Sequence, residues 1–206
     1  ERDNVPRVID KGCILQLTRL MSGEFQSDYK LLSAVVGALQ SICFQAEGKD
    51  SVRQSGAIRP VIQLLTCKDT TVRSRAVGVI HNLSSDLSIV PDLRIGGAIP
   101  DLIALLHDPN VNISVSAAGC IQNFSREDKS RATIRDCGGV IPLTEMLFMD
   151  HLPAQTCAAG ALLNLLGPRL SSEERMHPQR VALRKLLSNC IFLGQMSDIL
   201  NSAEES

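Results

Sequence analysis

One eight-residue phrase limits what this chain can fold into. Ala76-Val-Gly-Val-Ile-His-Asn-Leu83 returns as Ala117-Ala-Gly-Cys-Ile-Gln-Asn-Phe124 and as Ala158-Ala-Gly-Ala-Leu-Leu-Asn-Leu165, with a weaker copy, Val35-Val-Gly-Ala-Leu-Gln-Ser-Ile42, ahead of them. The glycines Gly37, Gly78, Gly119 and Gly160 recur every 41 residues, and so do the polar residues Ser41, Asn82, Asn123 and Asn164. A period of that length belongs to a solenoid, in which a small helical unit buries its apolar face only by stacking on the next one.

Each copy reads as a helix with two faces. Val72, Ala76, Ile80 and Leu83 fall at steps of four, four and three and form one apolar stripe, expected to enter the core. Thr71, Arg75, Gly78 and Asn82 form a second stripe, polar or small, expected to face outward in line with its equivalents in neighbouring repeats. Ahead of each long helix lies a shorter apolar one. Gly12-Cys-Ile, Gly56-Ala-Ile, Gly97-Ala-Ile and Gly139-Val-Ile open these units, each glycine placed where one helix stops, turns through positive φ and gives way to the next. Pro60, Pro100 and Pro142 then fit a first helical turn, where a missing N–H costs nothing.

This register predicts an all-α chain of about four repeats, at 12–55, 56–96, 97–138 and 139–167. Residues 1–11 match the segments that join the later repeats, so they are expected to be the tail of an earlier repeat or an N-terminal cap within a longer protein. The first repeat is looser, with a longer loop expected between Met21 and Tyr29. A capping helical segment is expected over 168–200, carrying Val181, Leu183, Leu186, Leu187, Cys190, Ile191 and Leu193, followed by a flexible tail at 201–206.

Charge and cysteine usage exclude several function classes. With 21 Lys plus Arg against 22 Asp plus Glu, nothing draws the chain as a whole to nucleic acid or an anionic membrane. The seven cysteines include no C-x-x-C pair and mostly sit among apolar residues, which suits reduced core thiols in an intracellular protein. No phosphate loop, H-E-x-x-H, nucleophile elbow or clustered metal ligands are found, so no enzyme, metal, cofactor or small-molecule substrate is expected. Cys157 and His151 share a repeat, but a core thiol and a turn histidine explain them better than a catalytic pair.

A three-helix unit with Gly-[Ala/Val]-Ile before its second helix and Ala-x-Gly-x-[Ile/Leu]-x-Asn-[Leu/Phe] in its third resembles the armadillo repeat, over roughly Gly12 to Gly167. The resemblance implies a right-handed superhelical solenoid whose third helices line a concave groove. In such proteins the ladder of asparagines grips the backbone of an extended peptide; the matching positions here are Asn82, Asn123 and Asn164, with Ser41 breaking the row. Importin-α-like members place Trp where this chain has glycine, and this chain has no Trp at all, so the motif is nearer that of the β-catenin and plakophilin type.

The resemblance makes a non-enzymatic adaptor or scaffold the leading expectation, binding an extended segment of a partner protein; basic helix ends leave an acidic segment as one option, beside charged ends that are simply solvated. Arg75, His81, Ser116 and Gln122 are the candidates for selecting that partner beside the ladder. Arg73, Arg126, Lys129, Arg131 and Arg135 add basic charge at helix ends. Each asparagine could instead tie its helix to the adjacent repeat, and each glycine could serve only close packing. The alternative function is a regulator or exchange factor that embraces a folded partner, such as a small GTPase or an Hsp70-type chaperone. Cytoplasmic, cytoskeletal or junctional, and nuclear settings all fit an intracellular scaffold, with neither nucleic acid nor membrane insertion expected.

Overall fold

The computed structural model describes residues 4–22 and 27–166, and every regular element among them is helical. They fall into two compact units divided after Asp101, within α8. The first unit holds α1 (Asn4–Asp10), α2 (Cys13–Leu20), α3 (Tyr29–Ile42), α4 (Ala46–Gln54), α5 (Ile58–Gln63), α6 (Thr70–Ser84) and α7 (Val90–Ile95). The second holds α9 (Val111–Phe124), α10 (Asp128–Asp136), α11 (Val140–Met146) and α12 (Leu152–Leu166), while α8 (Ala98–Leu105) carries the division. The expected capping segment and tail, with Cys190, lie outside the described residues.

Each unit is built around one pair of long helices: α3 against α6 in the first, α9 against α12 in the second. The apolar stripe is what joins them. Val72, Ala76, Ile80 and Leu83 are fully buried, as are Leu32 and Leu39 on α3. In the second unit Ala117, Ile121 and Phe124 on α9 meet a core that includes Ala158 and Leu165 on α12. Burying each larger aliphatic side chain contributes roughly 1.5–3 kcal/mol, so the stripe outweighs the short helices' weak intrinsic stability. Cys43 and Cys120 are buried core thiols as expected, whereas Cys13, Cys67 and Cys157 are only half-buried and Cys137 is exposed.

The long helices start the same way each time. Asp28 accepts from the Leu31 N–H at 3.0 Å, Asp69 from Val72 N–H at 2.9 Å, and Asn110 from Asn112 N–H at 3.0 Å, each as an N-cap. These caps are spaced 41 apart, and the next position is His151, whose Nδ1 accepts from Ala154 N–H at 3.3 Å. The turn histidine is therefore a cap, and a poor one beside a carboxylate.

From Gly56 onward the turn glycines follow the same period, with one correction; Gly12 stands 44 residues before Gly56, in keeping with the looser first repeat. Positive φ falls on Gly12, Gly56, Gly97 and Gly138. Gly139, expected in that role, has φ −65 and begins the approach to α11. Matching the Gly-x-Ile wording shifted the register by one, whereas adding 41 to Gly97 lands on Gly138.

Replacing His151 with Asp gives α12 the cap that α3 and α6 already have. Thermal or denaturant unfolding is expected to show a gain of about 0.5–1 kcal/mol for His151→Asp; an unchanged or lower stability would show that the His151 cap is not limiting.

Candidate functional site

The outward face of each long-helix pair is shaped by glycine. At Gly78 of α6 the missing side chain makes room for the carboxamide of Gln40 from α3; a Cβ there would lie 2.7 Å from Gln40 Cδ. The arrangement returns in the second unit, where a Cβ on Gly160 would lie 2.8 Å from Gln122 Cδ. Gly37 of α3 is covered in turn by Arg75 of α6, with a Cβ falling 2.9 Å from its Cζ. Gly78 is consequently buried under its neighbour's side chain, although its stripe was expected to face outward. Thr71 is exposed, and Arg75 and Asn82 are half-buried.

The ladder asparagines join the same contacts. Asn82 Nδ2 donates to the main-chain carbonyl of Gln40 at 3.0 Å. Asn164 Nδ2 donates to Ser125 Oγ at 2.9 Å, and Ser125 Oγ donates to the Gln122 carbonyl at 2.6 Å. Asn164 thus reaches the residue equivalent to Gln40 through one hydroxyl. The first unit has Cys43 at the position of Ser125, 82 residues earlier, so the asparagine there bonds the carbonyl itself. Burial pushes the Cys43 thiol up to about 12, and it stays neutral and inert. One donor of each carboxamide is therefore spent between helices. Asn82 Oδ1 and Asn164 Oδ1 keep no hydrogen bond within the described residues.

The remaining expected site residues divide clearly. Ser41 is exposed and donates to Gly37 O of its own helix at 3.1 Å. Arg75 Nη1 donates to the Ser33 carbonyl of α3, and the guanidinium has no acidic partner among the described residues. His81 has an exposed edge, yet the surrounding protein desolvates it enough to lower its pKa from 6.5. Ser116, Gln122 and Asn123 are half-buried on α9. Arg131 is buried, donating from Nη1 to Ser125 O at 3.2 Å and from Nη2 to Asp128 Oδ1 at 2.6 Å, and Arg135 is buried beside it. Those two arginines serve the fold rather than a surface, whereas Arg126 and Lys129 are exposed. Arg73 caps the turn before α6, donating to Cys67 O at 2.7 Å. Gln40, Ser33 and Ser125 were missed by motif; subtracting two periods from Gln122 finds Gln40 at once.

Nothing in this arrangement resembles a reaction centre. Burial raises the Cys157 pKa, the opposite of what activates a thiol, and His151 is occupied as a cap. Among the described residues no three His, Cys, Asp or Glu side chains could hold a metal ion, and no helix is long and apolar enough to cross a membrane.

Paired long helices repeated at a fixed period define a helical-repeat protein. More narrowly, residues 45–85, which hold α4, α5 and α6, match the family model of the Armadillo/beta-catenin-like repeat. The chain is similar to a designed armadillo repeat protein in complex with the peptide (KR)4, with TM-score 0.80 and 19% identity over 98% of this chain and 85% of that one. A computationally designed armadillo repeat protein for modular peptide recognition gives TM-score 0.80 at 21% identity, again over 98% and 85%. ARO, an armadillo repeats only protein from Plasmodium falciparum, gives 0.73 at 18% over 97% and 95%. No curated protein matches the sequence. The chain has the armadillo-repeat fold, and residues 45–85 match such a repeat by sequence as well.

Two outcomes test this site. Asn82→Ala leaves a partly buried carbonyl without its donor and is expected to cost about 1 kcal/mol in denaturant unfolding. Asn164→Ala should cost less, since Ser125 still donates to Gln122 O. His81 titrates with a lowered folded pKa, so its neutral form contributes stability above about 6.5 that is lost as pH falls through the folded value. His81→Gln, which installs the residue found one period before and after, should flatten stability across that window; an unchanged slope would remove His81 as its cause.

Proposed function

We propose that this protein is a protein-interaction module whose long-helix faces, α3 with α6 and α9 with α12, bind extended segments of partner proteins. The supporting observation is the set of unspent hydrogen-bonding groups on those faces: Oδ1 of Asn82 and of Asn164, each held in place by its own Nδ2 bond. A carboxamide fixed in this way can accept from a peptide N–H, and its second N–H can donate to a peptide carbonyl. Asn123 stands at the same register on α9 and takes the same role, while Ser41, turned back on Gly37, contributes little. Designed relatives of the same fold provide precedent, one of them in complex with (KR)4.

This groove favours the opposite charge to that ligand. Arg75 presents a half-buried guanidinium without a counter-ion among the described residues, so an acidic residue in the partner gains a charge-assisted bond there. His81, Ser116 and Gln122 border the ladder, where His81 and Ser116 select neighbouring side chains. The role that follows is that of an adaptor or scaffold, with the glycine-bearing groove of the β-catenin and plakophilin type.

Display of disordered protein segments against the chain and its Asn82→Ala/Asn123→Ala double variant tests the proposal. Enriched segments should be rich in Asp and Glu and should bind the double variant at least about tenfold less tightly, the loss of two hydrogen bonds of ordinary net strength. Failure to enrich any segment, alongside folded partners that bind both forms equally, would replace this role with regulation of a folded partner.

A further inference from the structure

Gln40 and Gln122 hold two properties that conflict in a purely structural side chain. Their main chains are fixed by the next helix: Gln40 O accepts from Asn82, and Gln122 O accepts from Ser125. Their carboxamides, half-buried over Gly78 and Gly160, make no hydrogen bond within the described residues. A partly desolvated carboxamide with no partner is a net cost that an aliphatic residue of equal volume would avoid. Yet the same residue type in the same posture appears in both units, 82 residues apart.

We propose that Gln40 and Gln122 bind the partner's main chain together with Asn82 and Asn164, so that on each long-helix pair a glutamine carboxamide joins an asparagine carboxamide of the facing helix. This rests on the peptide-binding role proposed above. A primary amide carries a donor and an acceptor at the spacing of a peptide group, so it pairs with main chain and discriminates weakly among side chains. Glycine is what allows it to lie low on the helix; a side chain at Gly78 or Gly160 would lift it away. The two carboxamides differ in freedom. Asn is clamped by its Nδ2 bond, whereas Gln has an anchored backbone and a head that can turn to meet the ligand. The intervening register positions carry His81 and Leu163, so the second carboxamide is supplied at every other long helix.

The test uses peptides selected on the unmodified chain from a random twelve-residue displayed library, with binding followed by fluorescence anisotropy. Gln40→Met keeps the volume over Gly78 and removes the hydrogen-bonding group. The expected result is that Gln40→Met and Gln40→Ala both weaken binding about three- to tenfold, as do the same changes at Gln122. Circular dichroism should show the fold unchanged. The side-chain amide resonances of Gln40 and Gln122 should also shift as peptide is added to the unmodified chain. Peptides weakened by Asn82→Ala or Asn164→Ala but bound normally by Gln40→Met and Gln122→Met would overturn the role of glutamine alone. Peptides indifferent to Asn82→Ala and Asn164→Ala would overturn the peptide-binding role on which it rests.

Discussion

The close approach of the paired long helices, α3 with α6 and α9 with α12, is the constraint on which the rest of this structure depends. It is set where the apolar stripes of each pair become fully buried, and Gly78 and Gly160 leave room beside them for the carboxamide of Gln40 or Gln122, which any Cβ would push aside. Glycine costs the helix roughly 0.5–1 kcal/mol of intrinsic stability at each such site. The apolar stripes that become fully buried at this separation, Val72, Ala76, Ile80 and Leu83 among them, offset that cost several times over. The asparagine bond then fixes register within a pair, tying α6 to a carbonyl on α3. Where the second unit interposes Ser125, the bond lengthens into a relay without changing which residue is held.

In the proposed function two roles meet in the same carboxamides. One donor of Asn82 belongs to the fold, and the acceptor beside it, with no hydrogen bond among the described residues, is the one proposed to take a ligand. That division explains how a ladder can be stiff before anything binds. Side-chain rotamers frozen by an internal bond need not be ordered again by a partner, and preorganisation of this sort favours affinity. It also means that stability and binding are coupled at these positions, so loss of one cannot be read as loss of the other alone. Arg75 follows the same economy, with one guanidinium donor on Ser33 O and no acidic partner among the described residues.

Much of this was legible from spacing. A 41-residue period located the long helices, the buried stripe and the ladder, because stacked repeats force equivalent positions into equivalent environments. The same arithmetic, applied consistently, also yields the caps Asp28, Asp69, Asn110 and His151 and the turn glycine Gly138. Motif wording hid them: Gly139-Val-Ile looked like Gly97-Ala-Ile, and a histidine does not look like a cap. What spacing could not reveal was direction. Gln40 leaning onto Gly78, Arg75 leaning onto Gly37, and the burial of Arg131 and Arg135 depend on which rotamers the packed neighbours leave open. Composition pointed to core thiols, yet Cys137 is exposed, since an apolar sequence context does not fix which side of a helix end faces water.

A crystal structure of the chain with a library-selected peptide addresses the dual role of the ladder most directly. The account predicts a peptide N–H on Asn82 Oδ1 or Asn164 Oδ1 while the Asn82 Nδ2 to Gln40 O bond persists near 3.0 Å. A peptide seated away from these residues, or an Asn82 that abandons Gln40 to reach its ligand, would contradict it.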